Sequence, residues 1–156
     1  MNASDYLLEV VSPTLSEAES EPLSMRRVLV LIAVVDALAA RVYQHKLAAG
    51  DSIKDSAGKA VRDDSGYREF LSSKDPNFRL LRDLAKAQKH AKLDRGGPLV
   101  SSADQTKEVS VGFGQGGYGE GPYGGGPQII VEANDKKMRN IISLCRSGIE
   151  LLKSEF

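Results

Sequence analysis

The sequence predicts a mainly α protein, a bundle of four or five helices with an inserted β-hairpin that carries a glycine-rich tip. Three observations predict it. Residues 28–38 are apolar in every direction around a helix axis, residues 75–93 have one apolar and one polar helical face, and β-branched stretches flank a run of glycines. With 156 residues, 41% of them apolar, the chain has the composition of a single folded domain. We expect that domain to cover residues 1–156, with the hairpin insertion at about 107–132.

The first third of the chain predicts two helices. The first covers residues 4–11, and Pro13 kinks or ends it because proline lacks a backbone N–H. The second begins at residues 20–22, where a serine, a glutamate and a proline suit an N-cap and first turn, and it runs to about Ala49 before Gly50. Because its middle is apolar on all sides, this central helix should be surrounded by the others.

Two further helices are predicted in the middle of the chain. A short one covers residues 66–71 after a polar connection. Asp75 as N-cap and Pro76 in the first turn open the next, which continues through Leu93 and stops before two glycines. Its leucines and alanines share one arc of the helix surface. The opposite side is predicted to carry Arg79, Arg82, Asp83, Lys86, Lys89 and His90.

The predicted hairpin has strands at residues 108–113 and 128–132. Residues 112–126 include nine glycines, which favours a surface loop. Two formal matches to the dinucleotide motif G-x-G-x-x-G occur there. That motif binds a nucleotide only where a strand runs into a helix, whereas this tract runs into Pro127 and a strand. We therefore exclude nucleotide binding.

A last helix is predicted after the hairpin. Asn134 or Asp135 caps it, and its apolar side chains repeat at helical spacing up to Phe156. The single cysteine, Cys145, lies within it. One thiol forms neither an internal disulfide nor a cysteine-based zinc site, and the two histidines have no suitable neighbours. We predict no metal, no cofactor and a reducing, cytoplasmic setting.

Charge and hydropathy exclude several classes of protein. The 21 basic side chains are balanced by 21 acidic ones, whereas a protein that coats DNA or an anionic membrane needs a large cationic excess. The longest apolar run, residues 28–35, is shorter than the roughly 20 residues of a membrane span. We therefore predict no membrane partner. Locally the charge is uneven, because residues 74–95 carry seven basic and three acidic side chains, a modest anion-attracting surface.

His90 is the natural candidate for a general acid or base, because imidazole exchanges protons near neutral pH. Asp83 lies about 10.5 Å from it along the helix axis, too far for a hydrogen bond. A partner must therefore come from one turn away, from another element or from a second subunit. The alternative is a solvated helix face on which Arg79, Asp83 and Lys86 form weak ion pairs.

Two positions of the central helix also stand out. Asp36 is a carboxylate among apolar residues, so it should be paired or face a cleft, and a structural hydrogen bond to another helix is the alternative. Arg41 and His45 are four residues apart and form a second Arg–His pair on one helix face.

The segment RDLAKAQKHAKL at residues 82–93 lies in a longer run, residues 67–93, that resembles a group of small bacterial and phage helical proteins with a D-x-A-x-A-x-K-H helix. More distantly, it is similar to the HEPN superfamily of helical bundles. Many HEPN proteins are metal-independent ribonucleases in which an arginine and a histidine of one helix meet their symmetry mates in a dimer. Seven residues separate Arg82 from His90, one more than the HEPN pattern allows.

The resemblance implies roles for the residues of this helix. His90 is expected to act as the acid or base at a ribose 2′-hydroxyl, and Arg82 is expected to stabilise the scissile phosphate. Asp83, the third candidate catalytic residue, falls where a polar residue usually follows that arginine. The RNA backbone is expected to be held by Arg79, Lys86 and Lys89.

Two function classes follow. The first is a HEPN-like helical protein that binds RNA, or cleaves it without a metal in a defence or toxin setting. The alternative is a non-enzymatic protein that uses its helical faces or its Gly/Tyr-rich loop to bind a protein partner or its own copies. Homo-oligomerisation is predicted for either class.

Overall fold

The computed structural model describes residues 1–90, 92–110 and 126–156. Over these residues the chain is mainly helical and has a small three-stranded antiparallel sheet, which confirms the predicted mainly α class. The helices are α1 (Ala3–Tyr6), α2 (Ser12–Ser20), α3 (Met25–Ala48), α4 (Asp64–Lys74), α5 (Pro76–His90) and α6 (Ile141–Lys153). The strands are β1 (Thr106–Ser110), β2 (Pro127–Glu132) and β3 (Met138–Asn140).

The N-terminal helix does not end at Pro13. A π-helical stretch, Leu7–Val11, joins α1 to α2, so the chain stays helical up to Ser20. The proline has no N–H to give to a carbonyl in the preceding turn, and a wider π turn accommodates that missing bond. The backbone N–H of Ser12 closes this wider turn by donating to the carbonyl of Leu7, and the Ser12 hydroxyl donates to the same carbonyl at 2.9 Å. Of the two outcomes predicted for Pro13, the end of the helix is therefore wrong, while a kink is not contradicted.

Helix α3 begins later than the sequence indicates. Residues 21–24 form the turn that reverses the chain after α2, and Ser24 stands at the N-cap. The Arg27 guanidinium closes this turn with a 3.1 Å hydrogen bond to the carbonyl of Glu17. Helix α3 then packs against α2, α4, α5 and α6, but Val30 and Ala33 in its middle are exposed, so other helices cover most of it and not every side.

Helix α5 ends at His90, three residues before the predicted end at Leu93. The N–H of Leu93 donates to the carbonyl of Ser101 at 2.6 Å, and Lys92 forms an isolated β-bridge with Ser102. The N–H of Lys92 donates to the carbonyl of His90, only two residues back, so neither N–H continues the helical pattern and the helix ends.

Strands β1 and β2 pair antiparallel, from Thr106 opposite Val131 to Ser110 opposite Pro127. The predicted glycine-rich tip falls mostly on residues 111–125, which lie outside the described residues. Strand β3 is absent from the prediction, which placed its residues in the last helix. It pairs with β2, and Asn140 caps α6 by accepting a 3.0 Å hydrogen bond from the N–H of Ser143. The predicted caps Asn134 and Asp135 are therefore wrong.

Helices α3, α5 and α6 cross closely at Gly148. A methyl group added there would lie 2.6 Å from a methyl of Leu81 and 3.6 Å from one of Val35. One turn away, Cys145 is fully buried, and this burial raises the pKa of its thiol. No helix in the described part of the chain combines the length and the apolar character that a membrane span requires.

Candidate functional site

The C-terminal end of α5 exposes cationic side chains. His90 is exposed, as predicted, and its imidazole forms no hydrogen bond or ion pair within residues 1–90, 92–110 and 126–156. Lys86 is half-buried, while Lys89 is 57% exposed. Arg79, near the start of the helix, is exposed too. Four of the predicted site residues are thus accessible to a ligand.

Arg82 and Asp83 are placed differently from the prediction, because both are buried, with exposures of 8% and 6%. The Asp83 carboxylate accepts a 2.8 Å hydrogen bond from the N–H of Leu99. The Arg82 guanidinium forms a 2.5 Å ion pair with Glu69 of α4. Placing these two residues on the exposed face was therefore wrong, because α4 and the loop before Leu99 cover a second side of α5.

Within a single chain, the side chains of the three predicted catalytic residues do not lie together in one site. Arg82 and His90 are eight residues apart on the same helix, which is about 12 Å along its axis. Arg82 is anchored to α4, Asp83 to a loop, and His90 lies free at the helix end. Their catalytic roles remain predictions.

The loop after α5 adds to its cationic end. The Arg79 guanidinium donates a 3.1 Å hydrogen bond to the carbonyl of Gly97, which draws the loop back along the helix. Gly97 has a φ of +56°, a conformation that glycine adopts at little cost. Lys92 forms a 3.5 Å ion pair with Asp94, and Arg95 is exposed. We define the basic edge as Lys86, Lys89, His90, Lys92 and Arg95.

Lys89 connects the basic edge to the interior. Its ammonium lies 2.8 Å from one oxygen of Asp36, and the Arg68 guanidinium lies 3.1 Å from the other. Arg68 also bonds to Asp64, and this hydrogen bond lowers the pKa of the Asp64 carboxyl. The prediction that Asp36 is paired is confirmed. Its partners are the neighbouring helices α4 and α5.

Arg41 and His45, the second Arg–His pair, have separate partners. The Arg41 guanidinium donates to the carbonyl of Met1 at 3.0 Å and stacks 4.1 Å above the ring of Tyr6. His45 lies edge-on to Phe156, with 6.1 Å between the ring centres. Both also line a groove of about 410 Å³ beside the N-terminus, but no bond joins them.

A cluster between α4 and the C-terminus was not predicted from the sequence. The Tyr67 hydroxyl donates to Glu155 at 3.2 Å, and Lys46 lies 3.3 Å from the same carboxylate oxygen. Burial, together with the charge of Glu155, raises the pKa of Tyr67. Tyr67 and Glu155 are 88 residues apart, so no local pattern relates them.

In the described part of the chain, no group of three or more His, Cys, Asp and Glu side chains is arranged to hold a metal ion. Comparisons of the chain with protein-family models, with curated proteins and with solved structures found no match.

Proposed function

We propose that this protein binds RNA through the basic edge, and that a single chain binds without cleaving. The observation that supports binding is the concentration of accessible cations on one short stretch. Residues 86–95 contain two lysines on α5, a lysine and an arginine on the following loop, and one histidine. Their acidic neighbour in that stretch, Asp94, pairs with Lys92. Such a patch attracts a phosphate backbone even on a neutral protein.

The same stretch argues for binding rather than catalysis. Metal-independent cleavage needs a group that stabilises the charge of the phosphate close to the acid or base. Arg82, the candidate for that task, is buried and paired with Glu69. His90 has no partner in the described residues that would orient it or take its proton. A HEPN-like ribonuclease would require Arg82 to leave Glu69 and a second subunit to approach His90.

Removing two cations of the basic edge should weaken RNA binding. We expect the double variant Lys86→Gln/Arg95→Gln to bind a labelled single-stranded RNA about five- to tenfold more weakly than wild type at moderate salt. The slope of log affinity against log salt should fall by about 1.4, since each phosphate contact on a single strand contributes about 0.7. Fluorescence anisotropy over a series of salt concentrations measures both quantities.

The matched control is Lys136→Gln/Lys137→Gln, which removes the same charge from an exposed turn between β2 and β3. We expect this control to bind RNA as wild type does. Equal affinities and equal salt slopes for the two double variants would refute the proposed site, because the effect would then follow net charge alone.

A further inference from the structure

A polar cleft lies between the last turn of α3, the C-terminal end of α4 and the turn that follows α6. It has a volume of about 350 Å³, and its lining includes Lys46, Asp51, Lys54, Tyr67, Lys74 and Glu155. The charged side chains that line it are three lysines and two carboxylates. The cleft therefore carries a net positive charge, although the protein as a whole is neutral.

Glu155 occupies the position in this cleft that suits an anion. The Tyr67 hydroxyl donates to one of its carboxylate oxygens at 3.2 Å, and the Lys46 ammonium lies 3.3 Å from the same oxygen. The Lys74 ammonium lies 3.9 Å from the other oxygen. Tyr67 is fully buried, and burial raises its pKa, so the hydroxyl keeps its proton and remains a donor. The cleft thus surrounds one carboxylate with a hydroxyl and two ammonium groups.

The protein itself satisfies these ammonium groups only in part. The 3.9 Å between Lys74 and Glu155 is longer than a hydrogen bond, and Asp51 lies equally far from Lys46. Lys54 is exposed, and its ammonium has no partner among the residues that the structure describes. Each ammonium carries three N–H donors. A ligand with two carboxylates would therefore find donors that the protein leaves unused.

Glu155 lies in a turn that few contacts hold in place. Helix α6 ends at Lys153, and the N–H of Glu155 donates to the carbonyl of Leu152 at 3.2 Å. The next residue, Phe156, is 37% exposed and lies edge-on to His45. The turn can move outward while Leu152, which is fully buried, stays in the core. A ligand could therefore replace the Glu155 carboxylate without opening the bundle.

We propose that this cleft binds a small dicarboxylate, one of whose carboxylates takes the position that Glu155 holds in the structure. Tyr67, Lys46 and Lys74 bind that carboxylate, and Lys54 supplies positive charge for the second. Helix α5 begins two residues after Lys74 and carries the basic edge at its other end, about 20 Å along its axis. The site is therefore separate from the basic edge and does not depend on the proposed RNA binding.

The test measures the binding of succinate by calorimetry, with sodium chloride at equal ionic strength as the blank. Glu155→Gln removes the competing carboxylate and should tighten succinate binding about fivefold, the upper end for ion pairs near a protein surface. The matched control is Asp51→Asn, which removes an equal charge from the same cleft and leaves Glu155 in place. We expect the control to tighten binding less than about twofold, because the Asp51 carboxylate lies 3.9 Å from Lys46.

Tyr67→Phe in the Glu155→Gln background removes one hydroxyl without changing the charge, and we expect the gain in succinate affinity to disappear. If that variant fails to fold, Lys74→Gln in the same background decides, since Lys74 is 49% exposed, and it should also lose the gain. The proposal is overturned if Glu155→Gln binds succinate no more tightly than Asp51→Asn, if the gain survives these second substitutions, or if succinate gives no more heat than chloride in every variant.

RNA binding separates this proposal from the proposed function. Wild type and Glu155→Gln should bind labelled RNA with equal affinity, because Glu155 lies far from the basic edge. RNA binding that tightens in Glu155→Gln as much as succinate binding does would overturn the assignment to a small dicarboxylate. A wild-type protein that binds no RNA would overturn the proposed function and leave this site standing.

Discussion

We expect Gly148→Leu to lower the free energy of unfolding by about 3 kcal/mol, the upper part of the range for overpacked cores. Even a single methyl group at this position would lie 2.6 Å from Leu81 and 3.6 Å from Val35. Both neighbours are buried, so the Leu81 methyl can move away only against other side chains of the core. A leucine therefore forces α6 away from α3 and α5, and urea denaturation followed by circular dichroism measures the loss.

The control for this prediction is Glu150→Leu, at an exposed position of the same helix. It loses an ion pair to Lys153, and such pairs contribute only a few tenths of a kcal/mol. We expect its stability to stay within about 0.5 kcal/mol of wild type. If Gly148→Leu were as stable as this control, the close crossing of the three helices would be wrong.

The second large effect is expected at Asp36. Its carboxylate is 9% exposed and receives Arg68 on one oxygen and Lys89 on the other. Asp36→Ala removes the α3 carboxylate that pairs with the half-buried Arg68 guanidinium. We expect the free energy of unfolding to fall by about 2 kcal/mol. Arg68 keeps Asp64 and the backbone carbonyl of residue 36, which limits the loss. Urea denaturation again provides the measurement.

Lys89→Gln removes one partner of the same carboxylate and serves as the comparison. Lys89 is 57% exposed, so its ion pair is screened by water and should contribute less than about 1 kcal/mol. A larger effect for Lys89→Gln than for Asp36→Ala would contradict the view that the Arg68–Asp36 contact joins α3 to α4.

Elements fixed by local chemistry were predictable from the sequence. Asp75 and Pro76 set the start of α5, since the cap and the fixed proline φ act within one turn. The mainly α class was also predictable, because the apolar residues in the middle of α3 are typical of a helix that packs against other helices. Strand β3 was missed because Asn134, Asp135 and Asn140 are all good caps, and pairing with β2 decides among them.

The candidate site was less predictable because its residues are defined by long-range contacts. A helical projection gives the direction in which Arg82 and Asp83 leave the axis. It does not show that α4 and the loop at Leu99 cover that direction. Glu69 drew no attention in the sequence because its partner Arg82 lies in the next helix. The outward position of His90, at the end of α5, depended only on the helix itself and was predicted.

The central claim is that the protein binds RNA without cleaving it, and the most direct test is whether bound RNA stays intact. Wild-type protein and His90→Ala are each incubated, with EDTA present, at a concentration that saturates the anisotropy of a labelled RNA, and the RNA is then run on a denaturing gel. The account predicts that both proteins bind the RNA and that it is recovered at full length. Cleavage by wild type that His90→Ala abolishes would contradict it and make His90 catalytic.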